Sequence, residues 1–191
     1  KITGEVGTGK TLLCRRLLQA LPEGSVSAYL PNPYLAPRTL LLALAEELGV
    51  EVSADSDDYH LLQSVNRALL AHAAADRQVV VCIDEAQAMP LETLESLRLL
   101  SNLETEKRKL LQIVLFGQPE LDRKLAEPSV RQLLQRIAFH YRLGGLAREE
   151  IANYLAHRLR VAGYRGDVVF GPRAVRCLHR ASRGTPRLLN I

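Results

Sequence analysis

Eight residues near the start of the chain carry the most specific chemical signal, because Gly4-Glu5-Val6-Gly7-Thr8-Gly9-Lys10-Thr11 satisfies the pattern G-x-x-x-x-G-K-[ST] in full. Glycines at this spacing let consecutive backbone N–H groups turn inward around an anion, at the head of a helix whose dipole favours negative charge. Lys10 then reaches the outer phosphates, and the hydroxyl of Thr11 offers a hard oxygen to Mg²⁺. The chemistry is phosphate binding, with Gly4, Glu5, Val6, Gly7, Thr8, Gly9, Lys10, Thr11 and Leu12 as the expected contacts. A glycine-rich turn can match by chance. Here the motif stands between a strand remnant, Ile2-Thr3, and a helical period, which is the context it requires.

A second group of polar residues follows two apolar runs. Asp84 and Glu85 close the run Val79-Val80-Val81-Cys82-Ile83. The carboxyl edge of a buried parallel strand is where open α/β sheets bind ligands. Asp84 suits a Mg²⁺ held through its waters, and Glu85 suits polarising an attacking water. Two solvated acids at a strand end are the alternative, a weaker one beside a complete phosphate motif. Gln118 follows the run from Leu110 to Phe116 and reads either as an amide orienting that water or as a turn residue before Pro119. Arg187, in the first turn of the last helix, could lean over a nucleotide or simply be solvated. No N-K-x-D and no L-S-G-G-Q occurs, which disfavours GTP and an ABC transporter subunit.

The elements that must position these groups alternate between apolar runs and helical periods, the βαβ signature of a parallel sheet with helices on its faces. A helix is expected over 10–21, ended by Pro22 and Gly24, and a strand over Val26 to Leu30. Leu40, Leu41, Leu44 and Leu48 predict a helix closed by Gly49, and Leu61, Leu62, Val65 and Leu69 predict another. Val79–Ile83 lacks alternation, as strands covered on both faces do. Pro90 is expected at the first position of a helix, and Phe139, Tyr141 and Leu143 alternate as a last strand before Gly144-Gly145. Beyond them only helical patterns occur: 147–162 stopped by Gly163, one opened by Gly171-Pro172 that ends at Gly184, and one opened by Thr185-Pro186. The expected architecture is an α/β P-loop domain over 1–145 and a small all-helical lid over 146–191. The start only three residues before the motif, and the stop inside a helix, read as an excised domain.

Composition bounds the partners. With 47% hydrophobic and 24% charged residues the chain can build a core, and no apolar run approaches the ~20 residues a bilayer demands. Three widely spaced cysteines in apolar context, Cys14, Cys82 and Cys177, read as buried reduced thiols of a cytosolic protein, and the five histidines form no metal-ligand pair. The net charge of +4 hides a balance of −6 over residues 1–122 and +10 over 123–191. A basic end of that kind serves phosphates, nucleic acid or an acidic partner.

With these residues placed, the chain resembles the AAA+ family. It looks closest to the ATPase domains of ExeA-type general secretion pathway A proteins and MshM-type pilus-biogenesis proteins of Gram-negative bacteria. The stretches that carry the resemblance are 4–11, Ile83-Asp84-Glu85-Ala86-Gln87, Leu97-Arg98-Leu99-Leu100-Ser101-Asn102-Leu103-Glu104-Thr105, Phe116-Gly117-Gln118-Pro119-Glu120-Leu121 and Gly184-Thr185-Pro186-Arg187. The resemblance implies a Walker A loop, a Walker B pair at Asp84 and Glu85, sensor 1 at Gln118, sensor 2 at Arg187 and an arginine finger at Arg136, with Arg131 a nearby competitor. Cys82, Ala88 and Thr185 depart from the usual residues without touching a catalytic group. The resemblance further implies a Mg²⁺-dependent ATPase, active as a homo-oligomeric ring and partnered by envelope secretion or pilus assembly proteins. It would be a cytoplasmic domain of an inner-membrane-associated protein. A DNA-binding AAA+ module of the transposition-helper or replication-initiator kind is the second reading. A nucleotide-dependent interaction module that hydrolyses little is the third.

Overall fold

The computed structural model describes residues 1–53, 56–104 and 109–190; Thr105, at the end of one motif stretch, and Ile191 lie outside them. In chain order the elements are β1 (Ile2–Gly4), α1 (Lys10–Gln19), β2 (Val26–Leu30), α2 (Pro37–Glu47), α3 (Asp58–Ala74), β3 (Val79–Ile83), α4 (Leu91–Leu100) and β4 (Leu111–Gly117). They continue with α5 (Glu120–Leu125), α6 (Arg131–Arg136), β5 (Tyr141–Leu143), α7 (Arg148–Val161), α8 (Pro172–Ser182) and α9 (Pro186–Leu189). The strands form one sheet in the order β2-β3-β4-β1-β5. The pairings β2 with β3, β3 with β4 and β1 with β4 are parallel, so the carboxyl ends of β1, β3 and β4 lie at one edge.

The chain divides into two compact units, Lys1–Thr3 with Lys10–Tyr141 and Gly4–Gly9 with Arg142–Ile191. In the first unit β3 shows why an apolar run without alternation reads as a covered strand. Val79, Val81 and Ile83 face one cluster, with Leu40, Leu44, Leu61, Leu94 and Leu97 of the flanking helices. Val80 and Cys82 face another, with Cys14 of α1 and Phe116 of β4. Burying a side chain of this size is worth about 1.5–3 kcal/mol, so β3 is anchored from both sides. The helix stops follow from local chemistry. Gly49, at φ 69°, donates to Glu46 O, and Val50 donates to Ala45 O, satisfying the last carbonyls of α2. At the start of α3 the Asp57 carboxylate accepts from the His60 N–H at 2.8 Å, a cap that the apolar period alone does not reveal.

Three expectations are corrected in detail. Cys14 and Cys82 are buried as expected, but Cys177 is exposed, because α8 buries Val175 and Ser182 instead. Pro90 stands one position earlier than expected, as the N-cap of α4, with extended ψ of 152°. The last strand is shorter than 139–143: β5 begins at Tyr141, and Phe139 is 86% exposed. Its alternation therefore marks no buried face. The second unit has its own small core, in which Ile151 and Leu155 of α7 meet Val175 of α8.

Candidate nucleotide site

Asp84 follows directly on β3 and is only 2% exposed. One carboxylate oxygen accepts the Thr11 hydroxyl at 2.6 Å, and the other accepts the Glu85 N–H at 2.9 Å. Two of the expected metal-binding residues, from α1 and from the end of β3, are thus brought into direct contact. Lys10, at the head of α1, is 5% exposed. Among the described residues Lys10 and Asp84 are the two charged residues buried as a whole, while the Lys1 side chain is covered in an ion pair with Asp122. Lysine and aspartate reach such burial only when a partner or a site compensates.

Glu85 adopts the left-handed conformation, φ 51° and ψ 35°, which an ordinary side chain rarely takes and which costs on the order of 1–3 kcal/mol. Its carboxylate is held from two sides. The side-chain amide of Gln87 donates to it at 2.6 Å and that of Gln118 at 3.3 Å. Gln118 is thereby placed beside Glu85 at the end of β4, and its backbone N–H donates to the Gln87 side-chain carbonyl at 2.9 Å. Lys124 fixes the turn after Glu85 by donating to Gln87 O at 2.6 Å and Met89 O at 2.7 Å. The sequence singles out Gln87 only as part of a motif stretch and misses Lys124. A polar residue two positions past the acid pair was the available signal for the first; for the second there was none.

In the second unit the glycine loop is shaped locally. Gly7 and Gly9 take φ of 81° and 99°, and Thr8 folds back on Glu5, its hydroxyl donating to Glu5 O at 2.8 Å. A side chain at Gly7 would meet Cβ of Arg187 at 2.5 Å, and the Arg187 N–H donates to Gly7 O at 3.2 Å. Arg187 thus stands at the loop, with its own residue exposed. Val6 and Leu12 are exposed as well. Arg131 and Arg136, at the two ends of α6, are exposed and join none of the polar contacts around Glu85. Arg136 lends a small share to Glu104, whose carboxyl is held low chiefly by Lys109. A groove of ≈ 510 Å³ in the helical unit, lined by Leu155, Leu159, Tyr164, Val168 and Phe170 among others, contains none of the motif residues.

Among the described residues no three His, Cys, Asp or Glu side chains cluster as a metal cage, and no helix is long and apolar enough to cross a membrane. The paired oxygens of Thr11 and Asp84 nevertheless fit Mg²⁺, which is commonly held by one or two protein oxygens together with substrate phosphates.

Comparison with known proteins matches residues 1–125 to the AAA domain family. All of the chain aligns, at 46% identity over 190 residues, with 35% of the general secretion pathway protein A of Aeromonas hydrophila. The chain thus spans about a third of that relative. Among solved structures, Cdc6p from Pyrobaculum aerophilum superposes with a TM-score of 0.71 at 16% identity, over 98% of this chain and 52% of that one. The ADP form of the Aeropyrum pernix ORC2 protein gives 0.70 at 19%, over 98% and 54%. The ORC1 protein of the same organism in complex with DNA gives 0.64 at 17%, over 99% and 51%. At such identities these structures speak for the fold alone. Motif, parallel sheet and family match agree: the chain belongs to the AAA domain family, the AAA+ type of P-loop ATPase.

Proposed function

We propose that this chain is an ATP-binding and ATP-hydrolysing domain that couples turnover to assembly of a type II secretion or type IV/MSHA pilus apparatus. The observation that carries the catalytic part is the burial of Lys10 at the end of the glycine motif and of Asp84 at the end of β3, with the Thr11 hydroxyl on the Asp84 carboxylate. Burying charge is costly, and a bound phosphate and cation would offset that cost. In this reading Gly4–Leu12 bind the nucleotide phosphates and Lys10 neutralises the outer ones. Thr11 and Asp84 hold Mg²⁺, which when bound offsets phosphate charge. Glu85 takes a proton from the attacking water, and the Gln118 amide orients that water. Arg187 leans on the phosphates from the helical lid (146–191) of the nucleotide-binding domain (1–145), and Arg136 acts on a neighbouring subunit's nucleotide in a ring. The secretion part is supported by the 46% identity with general secretion pathway protein A, and we place the domain on the cytoplasmic side of an inner-membrane-associated protein as part of the same proposal.

Steady-state ATPase assays with Mg²⁺ test the chemistry. Glu85→Gln keeps the shape of the side chain but takes up no proton. Hydrolysis should fall by about 10²–10⁴-fold with ATP affinity retained, the span typical of a lost general base. Turnover within a few-fold of wild type would remove Glu85 from this role.

A second reading, a nucleic-acid-binding AAA+ module, is favoured by one observation. Arg173, Arg176, Arg180 and Arg183 are exposed along and just beyond α8, a helix with no acidic residue. Duplex affinity at two salt concentrations separates the readings. Several phosphate contacts would make it fall by orders of magnitude as salt rises.

A further inference from the structure

We propose that Gln87 is a positioning residue for hydrolysis: its side-chain amide sets the carboxylate of Glu85 in register with the end of β4. The inference rests on the reading of Glu85 as the water-activating group and assigns the residue that aims it.

The two ends of one amide are used for different tasks. The Gln87 NH₂ donates to Glu85 Oε2 at 2.6 Å, while its carbonyl oxygen accepts the backbone N–H of Gln118 at 2.9 Å. The Gln118 side chain reaches the same Glu85 oxygen at 3.3 Å. Glu85, Gln87 and Gln118 therefore close a ring of hydrogen bonds that ties the acid on β3's end to the amide on β4's end. The turn carrying Gln87 is pinned independently, by Lys124 Nζ on Gln87 O and Met89 O at 2.6 and 2.7 Å. The amide also lies close against β4, since a Cβ at Gly117 would stand 3.2 Å from Gln87 Oε1. Glu85, in its left-handed backbone conformation, gains from an external partner that fixes its carboxylate. The amide side chain offers, from two separate atoms, a donor to the carboxylate and an acceptor to the N–H at once. A carboxylate at 87 would face Glu85 with like charge, and a methionine would give up both bonds.

Three variants of the 191-residue chain test this, each checked for unchanged melting and for ATP affinity. Gln87→Met should lower kcat by about 10–100-fold, the loss of one hydrogen bond to a charged group, and leave the ATP Kd within about 3-fold, because no phosphate contact is removed. Without nucleotide, exchange of the Gln118 backbone N–H should quicken in the same variant. Gln87→Glu keeps the side-chain shape but puts a carboxylate where the amide donated, so kcat should fall at least as far as in Gln87→Met, again with the ATP Kd within about 3-fold. A residue that merely fills space would tolerate this isosteric change. Gln87→Met or Gln87→Glu at wild-type kcat in a folded protein overturns the proposal. Glu85→Gln is run beside them. If it hydrolyses ATP normally, the role of Glu85 fails and this inference with it. If it is inactive while Gln87→Met is normal, only the inference falls.

Discussion

Lys10 and Asp84 on one side, and the arginines of the basic second half on the other, show two ways in which this chain treats charge. The first pair is buried, and Asp84 is committed to Thr11 and to the Glu85 N–H. Arg131, Arg136, Arg173, Arg176, Arg180 and Arg183 are all exposed, and among the described residues none forms an ion pair within 4.0 Å. A buried charge costs several kcal/mol unless something compensates it, so it belongs with a group that the fold has already arranged. An exposed arginine costs little and keeps five donors for whatever arrives from outside. Under the proposed function the acid edge would serve a small ligand, and the arginine faces a neighbour or a polyanion.

The comparison can be broken most sharply at Arg136. A single P-loop domain leaves part of the developing phosphate charge uncompensated, and a guanidinium supplied by another subunit is worth ~10³–10⁵ in rate. Arg136→Ala should lose turnover on that scale while binding ATP normally. Mixed with Glu85→Gln subunits, which are inactive alone, it should regain activity at junctions where an intact Glu85 meets an intact Arg136. Normal turnover by Arg136→Ala, or specific activity that does not rise with protein concentration, would return Arg136 to the class of solvated cations. Loss of turnover in Arg131→Ala instead, restored on mixing with Glu85→Gln subunits, would move the role to that residue.

Lys10 sharpens the other side of the comparison. Lys10→Ala removes the cation from the phosphate motif, and a hydrogen bond to a charged group is worth about 1.5–3 kcal/mol. ATP affinity should fall by at least ~10–100-fold in equilibrium titration with a fluorescent analogue. Unchanged affinity would mean that the buried lysine serves the fold and not a ligand.

Legibility in the sequence followed the same division. β2 and β3 are read to the residue because their runs end abruptly at Pro31 and Asp84 and their apolar side chains join the buried clusters. The phosphate motif is legible because glycine spacing directly encodes backbone conformation, here the positive φ of Gly7 and Gly9. Phe139 misled because alternation carries meaning only when one face is covered, and coverage is a property of the tertiary fold. Gln87 was hidden for a related reason. Its role depends on Gln118, 31 positions away in the chain, whose N–H it accepts. No periodicity reports a partner so distant. The Asp57 cap is the opposite case, local and readable from an Asp three residues before the N–H it binds.

The smallest effect expected concerns Arg173, and it tests whether the arginines of α8 are unpartnered. Arg173 is exposed at the second position of α8, whose first turn contains no acidic residue. A cation there opposes the helix dipole, and Arg176, one turn further on, adds like-charge repulsion. Arg173→Glu replaces both unfavourable terms with favourable ones, each worth a few tenths of a kcal/mol to about 1 kcal/mol at low ionic strength. The substitution should therefore stabilise the chain by about 0.5–1.5 kcal/mol, raising the melting midpoint by a few degrees for a chain of this size. The gain should shrink steadily toward 1 M salt, where the Debye length falls to about 3 Å. ATP affinity should be unaffected, because Arg173 makes none of the contacts around Asp84 or the glycine loop. A destabilised variant would mean that Arg173 already has an anionic partner within the folded chain. The free arginine face would then be reduced to Arg176, Arg180 and Arg183, too few to set against the buried pair at the acid edge.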